Sequence, residues 1–253
     1  MKKGEKVGLY LSGQPVQIED CNIAITQPTI KDVVVYGEDE FLICVNILGH
    51  PENIVNQMKQ GNSELAAFDD FQLLLVVLRQ EPTIKQSIID LFNLIFPEYE
   101  IKFEDASIDF YIIQEEQKRL VGRIHAFNFS NFQEIINDLF EPVNEGDVEY
   151  NPVNDAAAEI AAKLKAGRER KKQQNAEREG PQSLFGRYTS ILAIGMQMDI
   201  NIFYSYTPFQ LYDAFNRYFA KVQSDFYTKV STTPLMDVSK METPEDWVRN
   251  LYK

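Results

Sequence analysis

The sequence predicts an α+β protein with a helix-rich N-terminal domain, small antiparallel β elements, a basic helical tether and a small all-α C-terminal module. Three observations support this prediction. Short runs of alternating apolar side chains indicate strands near residues 7–25 and 99–125. Capping residues followed by apolar side chains at helical spacing indicate helices over much of the remaining chain. Apart from Pro181, no apolar side chain larger than alanine occurs between Leu164 and Leu184, which indicates a boundary between two folded parts.

The predicted strands come from two alternating regions. Val7 to Leu11, Val16 to Ile18 and Ile23 to Ile25 are short runs with a period of two, and they predict a meander. Residues 99–125 alternate again, so we expect a small antiparallel sheet there.

The predicted helices of the N-terminal domain follow capping signals and apolar runs. Three pairs have the spacing of a capping box, in which a hydroxyl and a side chain three residues later satisfy the first amides of a helix. They are Thr29 with Asp32, Thr83 with Gln86, and Ser130 with Gln133. Gly37, Pro97 and Pro142 are expected to end these helices. Two more helices are predicted from apolar runs, at Glu38–Leu48 and Phe68–Leu78.

Charge divides the chain into three parts. The whole chain carries −13. Residues 1–162 hold 11 basic and 28 acidic side chains, a balance of −17, whereas residues 163–178 hold seven basic and two acidic, a balance of +5. Residues 184–253 hold seven of each. The predicted organisation is therefore an acidic α+β domain at 1–150, a basic helical linker at 151–181 and an aromatic-rich helical module at 182–253.

The C-terminal module is rich in aromatic residues. It holds 14 of the 30 aromatic residues of the chain and four of its six methionines. Thr207 with Gln210 predicts the start of its main helix, and Thr243 predicts a last short one. Two interpretations remain open, since the aromatic residues either build only the core or also form a partner-binding groove. The candidate partner-binding residues are Tyr206, Phe209, Tyr212, Phe215, Tyr218, Phe219 and Trp247.

The basic linker is the second candidate contact region. Arg168, Arg170, Lys171 and Lys172 carry most of its charge, without an aromatic residue on which a base could stack. Because the attached domain is strongly acidic, nucleic-acid binding is not favoured. A solvated helical linker and a docking stripe for an acidic protein surface both remain open.

No pattern typical of an active site is present. Cys21 and Cys44 lie far apart, and neither His50 nor His125 has a metal-ligand or catalytic partner at a recognisable spacing. Adjacent acidic residues such as Glu38-Asp39-Glu40 are interpreted as solvated faces. We therefore expect no catalytic residues, no metal site and no cofactor.

The sequence also predicts an intracellular protein without a membrane anchor. No segment has the unbroken apolar length of a bilayer span. The apolar run after the basic residues of the N-terminus covers only Val7 to Leu11, which is too short for the core of a signal peptide.

Several segments resemble a known family. The C-terminal part contains Phe185 to Tyr188, Ser190 to Met196, Thr207 to Tyr218 and Pro244 to Asn250. The preceding part contains Gln27 to Asp32, Gly37 to Phe41, and Tyr150-Asn151-Pro152 leading into Ile160 to Arg168. Together these segments resemble tail assembly chaperones of long-tailed phages and prophages of Gram-positive bacteria. The resemblance covers most of the chain and is weakest over residues 50–125.

The resemblance implies a protein that coats the apolar helices of the tape measure protein, helps to recruit tail tube subunits and is absent from the mature virion. It implies a place in the host cytoplasm and leaves self-association open. Such chaperones are often made in two lengths by ribosomal frameshifting, for which Lys171-Lys172 is a candidate position. Two alternatives from other classes remain, namely a structural tail-completion or baseplate protein and a nucleic-acid-linked regulator that uses the linker.

Overall fold

The computed structural model describes residues 3–51, 67–114, 117–141 and 183–233. Within these ranges the protein is α+β, with nine α-helices, a two-stranded sheet and a three-stranded sheet. This agrees with the fold class that the sequence predicts. The linker residues Arg168 to Lys172, Trp247 and the helix predicted from Thr243 lie outside the described residues, and the division into domains stays a prediction.

The described residues of the first part of the chain form six α-helices and five strands. Its elements are α1 (Lys3–Leu11), β1 (Val16–Ile18), a 3-10 turn (Glu19–Cys21), β2 (Ile23–Ile25), α2 (Ile30–Tyr36), α3 (Glu38–Gly49), α4 (Asp70–Gln80), α5 (Pro82–Ile95), β3 (Glu100–Phe103), β4 (Ile108–Gln114), β5 (Gln117–Ile124) and α6 (Phe129–Phe140). The C-terminal part contains α7 (Leu184–Met196), α8 (Ile200–Tyr204) and α9 (Pro208–Ser231).

Both sheets are antiparallel. Strand β1 pairs with β2, with Gln17 opposite Ala24. Strand β4 is the centre of the other sheet, where Phe110 lies opposite Ile101 of β3 and Gly122 of β5. In β1 the side chains alternate between buried and exposed, because one face packs on the core and the other meets solvent. The strand predictions for residues 16–25 and 99–125 are confirmed.

Three local predictions are wrong. Val7 to Leu11 is helical rather than extended, because Tyr10 packs on Phe209 and turns one face of α1 toward α9. Thr83 does not cap α5, since the helix already begins at Pro82, a residue suited to the first helical position. Ser130 lies inside α6, which begins one residue earlier. In contrast, the capping boxes at Thr29 and Thr207 are confirmed.

The C-terminal helices share their hydrophobic core with the first part of the chain. Phe41 of α3 meets Phe140 of α6 at a centroid distance of 5.5 Å and Phe185 of α7 at 6.5 Å. Tyr10 of α1 meets Phe209 of α9 edge to face at 5.3 Å. All five side chains are at most 5% exposed. The aromatic core is therefore continuous from α1, α3 and α6 into α7 and α9.

Polar contacts surround this shared core. Glu38 accepts hydrogen bonds from the Ser183 hydroxyl and, at 3.0 Å, from the Phe185 amide. Its carboxylate thus lies at the amino end of α7, where unpaired amides favour a negative charge. On the other side, Gln210 Nε2 donates to the Leu11 carbonyl at 2.8 Å. These hydrogen bonds fix the position of α7 and α9 on the first part of the chain.

A close approach at Gly122 joins the two sheets. A β-carbon at this position would lie 2.4 Å from Cγ2 of Ile23 and 2.5 Å from the Cys21 carbonyl oxygen. Beside it, Nδ2 of the Asn22 side chain donates a hydrogen bond to the Val121 carbonyl. Since backbone atoms line the space, the neighbours cannot move away without shifting the 3-10 turn.

We therefore expect Gly122→Ala to lower the free energy of unfolding by about 1–3 kcal/mol, as overpacking of a filled site does. Urea unfolding followed by circular dichroism measures the change. Gly8→Ala is the matched control, because no atom lies within 4 Å of a β-carbon at that position in α1. The control variant is expected to be as stable as the parent or slightly more so. Equal stability of Gly122→Ala and the parent would refute the close approach.

Candidate functional site

Exposed apolar side chains are concentrated on the C-terminal helices. Among the described residues, sixteen large hydrophobic side chains are exposed, and nine of them lie between Ile191 and Phe226. A typical soluble surface scatters such residues singly, whereas a concentration of them marks an interaction site. The nine are Ile191, Ile194, Met196, Met198, Ile200, Ile202, Phe219, Val222 and Phe226.

The densest part is the connection between α7 and α8. All nine residues from Ile194 to Ile202 are exposed, and every second one is a large aliphatic side chain or methionine. We call the side chains of Ile194, Met196, Met198, Ile200 and Ile202 the α7–α8 surface. Ile194 is the most exposed of them, at 80%. The two methionines are unbranched and flexible, so this surface can adapt to partner side chains of different shape.

Local sequence explains why the chain turns here. Gln197 adopts the left-handed conformation that often ends a helix, with φ of 54°. Asp199 then caps α8, because its carboxylate accepts a hydrogen bond from the Asn201 amide at 2.9 Å. Gln197, Met198 and Asp199, which connect the two helices, are all exposed.

Buried residues on both sides support the turn. Leu192 and Phe203 are completely buried and anchor its two ends. Gly195 lies against Tyr218 of α9, since a β-carbon there would come within 2.0 Å of the tyrosine oxygen. Tyr188 stacks on Phe215 at 4.2 Å, which adds a second contact between α7 and α9. The α7–α8 surface therefore rests on a packed support.

The surface is almost uncharged. Between Arg187 and Asp213 the only charged residue is Asp199. The exposed side of α7 continues the apolar surface toward its amino end through Ile191, one turn from Ile194. At that end, Glu38 binds α7 and is followed by the exposed Asp39 and Glu40. A neutral apolar surface thus lies one helix length from an acidic turn.

Helix α9 presents a second apolar stripe. Phe219, Val222 and Phe226 are spaced by three and four residues, and they are 42–59% exposed. Phe215 precedes them on the same face and is covered by Tyr188 of α7. The apolar face of α9 therefore runs from the shared core outward onto the surface.

The structure separates the six described aromatic residues predicted to bind a partner. Phe209 and Tyr212 are 5% and 4% exposed and belong to the shared core. The Tyr212 hydroxyl donates to the Phe140 carbonyl at 3.5 Å, and burial raises its pKa. Tyr206, Phe215 and Tyr218 are half-buried, and only Phe219 is exposed. A partner-binding role for these residues stays a prediction, and Phe219 is the one that this conformation presents to solvent.

Two features of this site were not predicted from the sequence. Glu38 was interpreted as part of a solvated face, but it binds the amino end of α7, and neighbouring Glu40 accepts a hydrogen bond from Ser87. The exposure of Ile194 was also missed. The low charge between Arg187 and Asp213 was the available signal, and it does not distinguish a buried helix from an exposed one.

The two cysteines, His50 and Asp109 are buried or make contacts within the fold. Burial raises the pKa of the Cys21 thiol to about 12 and that of Cys44 to about 11, so both stay protonated and unreactive at neutral pH. His50 contacts Glu141 at 3.2 Å, and Asp109 is held by Arg123, which lowers the pKa of the aspartate. In the described ranges, no three His, Cys, Asp or Glu residues form a group that could hold a metal ion.

Across residues 3–51, 67–114, 117–141 and 183–233, no helix combines the length and the apolar character of a membrane span.

Comparison with protein-family models, with curated proteins and with solved structures finds no match.

Proposed function

We propose that this protein is a tail assembly chaperone, a non-enzymatic binding protein that covers apolar helices of the tape measure protein and helps to recruit tail tube subunits. Its place would be the host-cell cytoplasm during tail assembly, and the finished virion would not contain it. The observation that carries the proposal is the α7–α8 surface. The family attribution rests on the sequence resemblance.

The size of the exposed apolar area supports a protein-binding function. The nine exposed side chains of α7, α8 and α9 are 37–80% exposed, and full burial of a large apolar side chain contributes about 1.5–3 kcal/mol. Covering them together in a complex would therefore contribute several kcal/mol to binding. The α9 stripe and four of the five side chains of the α7–α8 surface lie on helices, so a partner helix could pack against them with side chains at helical spacing.

The chemical character of the surface suits an extended apolar partner. A long amphipathic helix exposes an apolar stripe until its final assembly covers it, and it would aggregate if left unprotected. Flexible methionines next to branched isoleucines contact many different apolar stripes without requiring one shape. The strongly acidic first part of the chain would keep such a complex soluble.

Co-expression with the tape measure protein of the same gene cluster tests the proposal. The parent chain is expected to keep the tape measure protein in the soluble fraction, and Ile194→Asp is expected to leave it in the pellet, since a charge on the α7–α8 surface opposes apolar contact. Phe127→Asp is the matched control, because Phe127 is 95% exposed on the turn before α6 and is not part of the α7–α8 surface.

Mass spectrometry of purified particles provides a separate test of the same proposal. The chain is expected in infected or induced cells and not in completed particles. Stoichiometric recovery of the chain from purified particles would instead identify a structural component of the tail.

A further inference from the structure

We infer that the helix bound by the α7–α8 surface carries basic side chains beside its apolar stripe, so that its apolar side packs on this surface while its basic residues contact the acidic turn at the start of α3. The inference rests on the proposed function and adds the chemistry of the partner. It follows from the charges around the α7–α8 surface and from the length of α7, which separates this surface from the acidic turn.

Helix α7 connects the acidic turn at the start of α3 with the α7–α8 surface. At the amino end, the Phe185 amide donates to Glu38 at 3.0 Å, so the first turn of α3 adjoins this helix. At the carboxyl end, Ile194 and Met196 begin the α7–α8 surface. A 13-residue helix is about 20 Å long. A partner helix of about 18 residues lying along α7 would therefore span both ends.

A partner helix along α7 would meet charged side chains of α2, α3, α7 and the α7–α8 connection. Asp39 and Glu40 are exposed in the first turn of α3, and Asp199 lies within the apolar connection. The exposed side of α7 carries a positive charge at Arg187. The neighbouring α2, which packs against α8, adds one residue of each sign, Lys31 and Asp32. The charges beside the surface are thus predominantly negative, and they would attract lysine or arginine.

The net charge of the chain opposes two other occupants of the α7–α8 surface. Two copies of a chain that carries −13 repel each other, which opposes pairing of this surface with that of a second copy. An anionic membrane surface repels the same chain for the same reason. A basic amphipathic helix satisfies both requirements of the site, because it offers apolar contact without adding negative charge.

Three synthetic 18-residue helical peptides test the inference on the full-length chain. They share one leucine stripe and carry lysine, glutamine or glutamate at the same flanking positions, and fluorescence anisotropy measures their dissociation constants. At 50 mM salt the lysine peptide is expected to bind at least about tenfold more tightly than the glutamate peptide, with the glutamine peptide between them. At 500 mM salt the difference is expected to shrink, since salt screens exposed charges.

Two charge-reversal variants locate the effect. Asp39→Lys is expected to weaken binding of the lysine peptide about three- to tenfold at 50 mM salt and to leave the glutamine peptide unaffected. Glu104→Lys makes the same change in net charge on the β3–β4 turn and is the matched control, with no change expected beyond about twofold. Equal effects of both variants would mean that only the overall charge acts, and this result would overturn the inference.

The outcomes separate the inference from the proposed function. If all three peptides bind equally and Ile194→Ser weakens each of them, the surface binds apolar helices without charge preference, and only the inference fails. If no peptide binds better than a peptide without the leucine stripe, both fail. Dimerisation in light scattering that Ile194→Ser abolishes, or sedimentation with phosphatidylglycerol vesicles, would assign the surface to another occupant and overturn the inference.

Discussion

Removal of residues 183–253 is expected to destabilise the remaining chain by more than about 5 kcal/mol, because the shared core would be opened. Tyr10, Phe41 and Phe140 are at most 3% exposed, and α7 and α9 cover them with Phe185, Phe209 and Tyr212. Full burial of each large apolar side chain stabilises a protein by roughly 1.5–3 kcal/mol, so the loss is comparable with the total stability of a small domain. Urea unfolding of the fragment 1–182 measures it.

Two point variants test the packing of the shared core without removing any residues. Phe185→Ala in the full chain is expected to cost about 3–5 kcal/mol, because the side chain is completely buried against Phe41. Ile191→Ala on the same helix, at a site that is 39% exposed, is expected to cost about 1 kcal/mol or less. A fragment 1–182 as stable as the full chain would contradict the shared core and would support the division into separate domains.

The double variant Ile194→Ser/Met198→Ser is expected to weaken binding to the tape measure protein about a hundredfold. Both side chains are exposed in the free chain, so the substitutions remove apolar contact in the complex and leave the core unchanged. Loss of two contacts worth about 1.5 kcal/mol each corresponds to two factors of ten in affinity. Isothermal titration calorimetry with a purified helical segment of the partner measures the change.

The stability of this double variant is expected to stay within about 1 kcal/mol of the parent, because Ile194 is 80% exposed and Met198 is 38% exposed in the free chain. Phe127→Ser is the matched control, since it removes an exposed aromatic residue from a different part of the fold. Binding that weakens equally in the control and in the double variant would show that the α7–α8 surface has no special role.

Local capping chemistry made several elements predictable from sequence. The boxes at Thr29 and Thr207 involve residues three apart, so the sequence contains all the interacting groups. The alternation in residues 99–125 similarly reflects one buried face of a sheet. In contrast, α1 was mistaken for a strand because its helical state depends on contacts with distant residues, among them the ion pair of Lys6 with Glu134 at 2.7 Å.

The candidate site was less predictable than the fold. Composition leaves open whether the C-terminal part also binds a partner, and the candidate residues are its aromatic ones, of which Phe209 and Tyr212 are buried. The exposed residues of the α7–α8 surface are instead aliphatic side chains and methionines, which the sequence alone places equally well in a core. Their exposure depends on the local turn at Gln197 and also on the tertiary packing of Leu192 and Phe203, which the sequence does not reveal.

Size-exclusion chromatography with light scattering, applied to the chain mixed with its tape measure protein, tests the central claim most directly. A complex of defined mass is expected with the parent chain and with Phe127→Ser, and the complex is expected to be absent with Ile194→Ser/Met198→Ser at the same concentration. A complex of unchanged mass and amount with the double variant would contradict a partner-binding role for the α7–α8 surface.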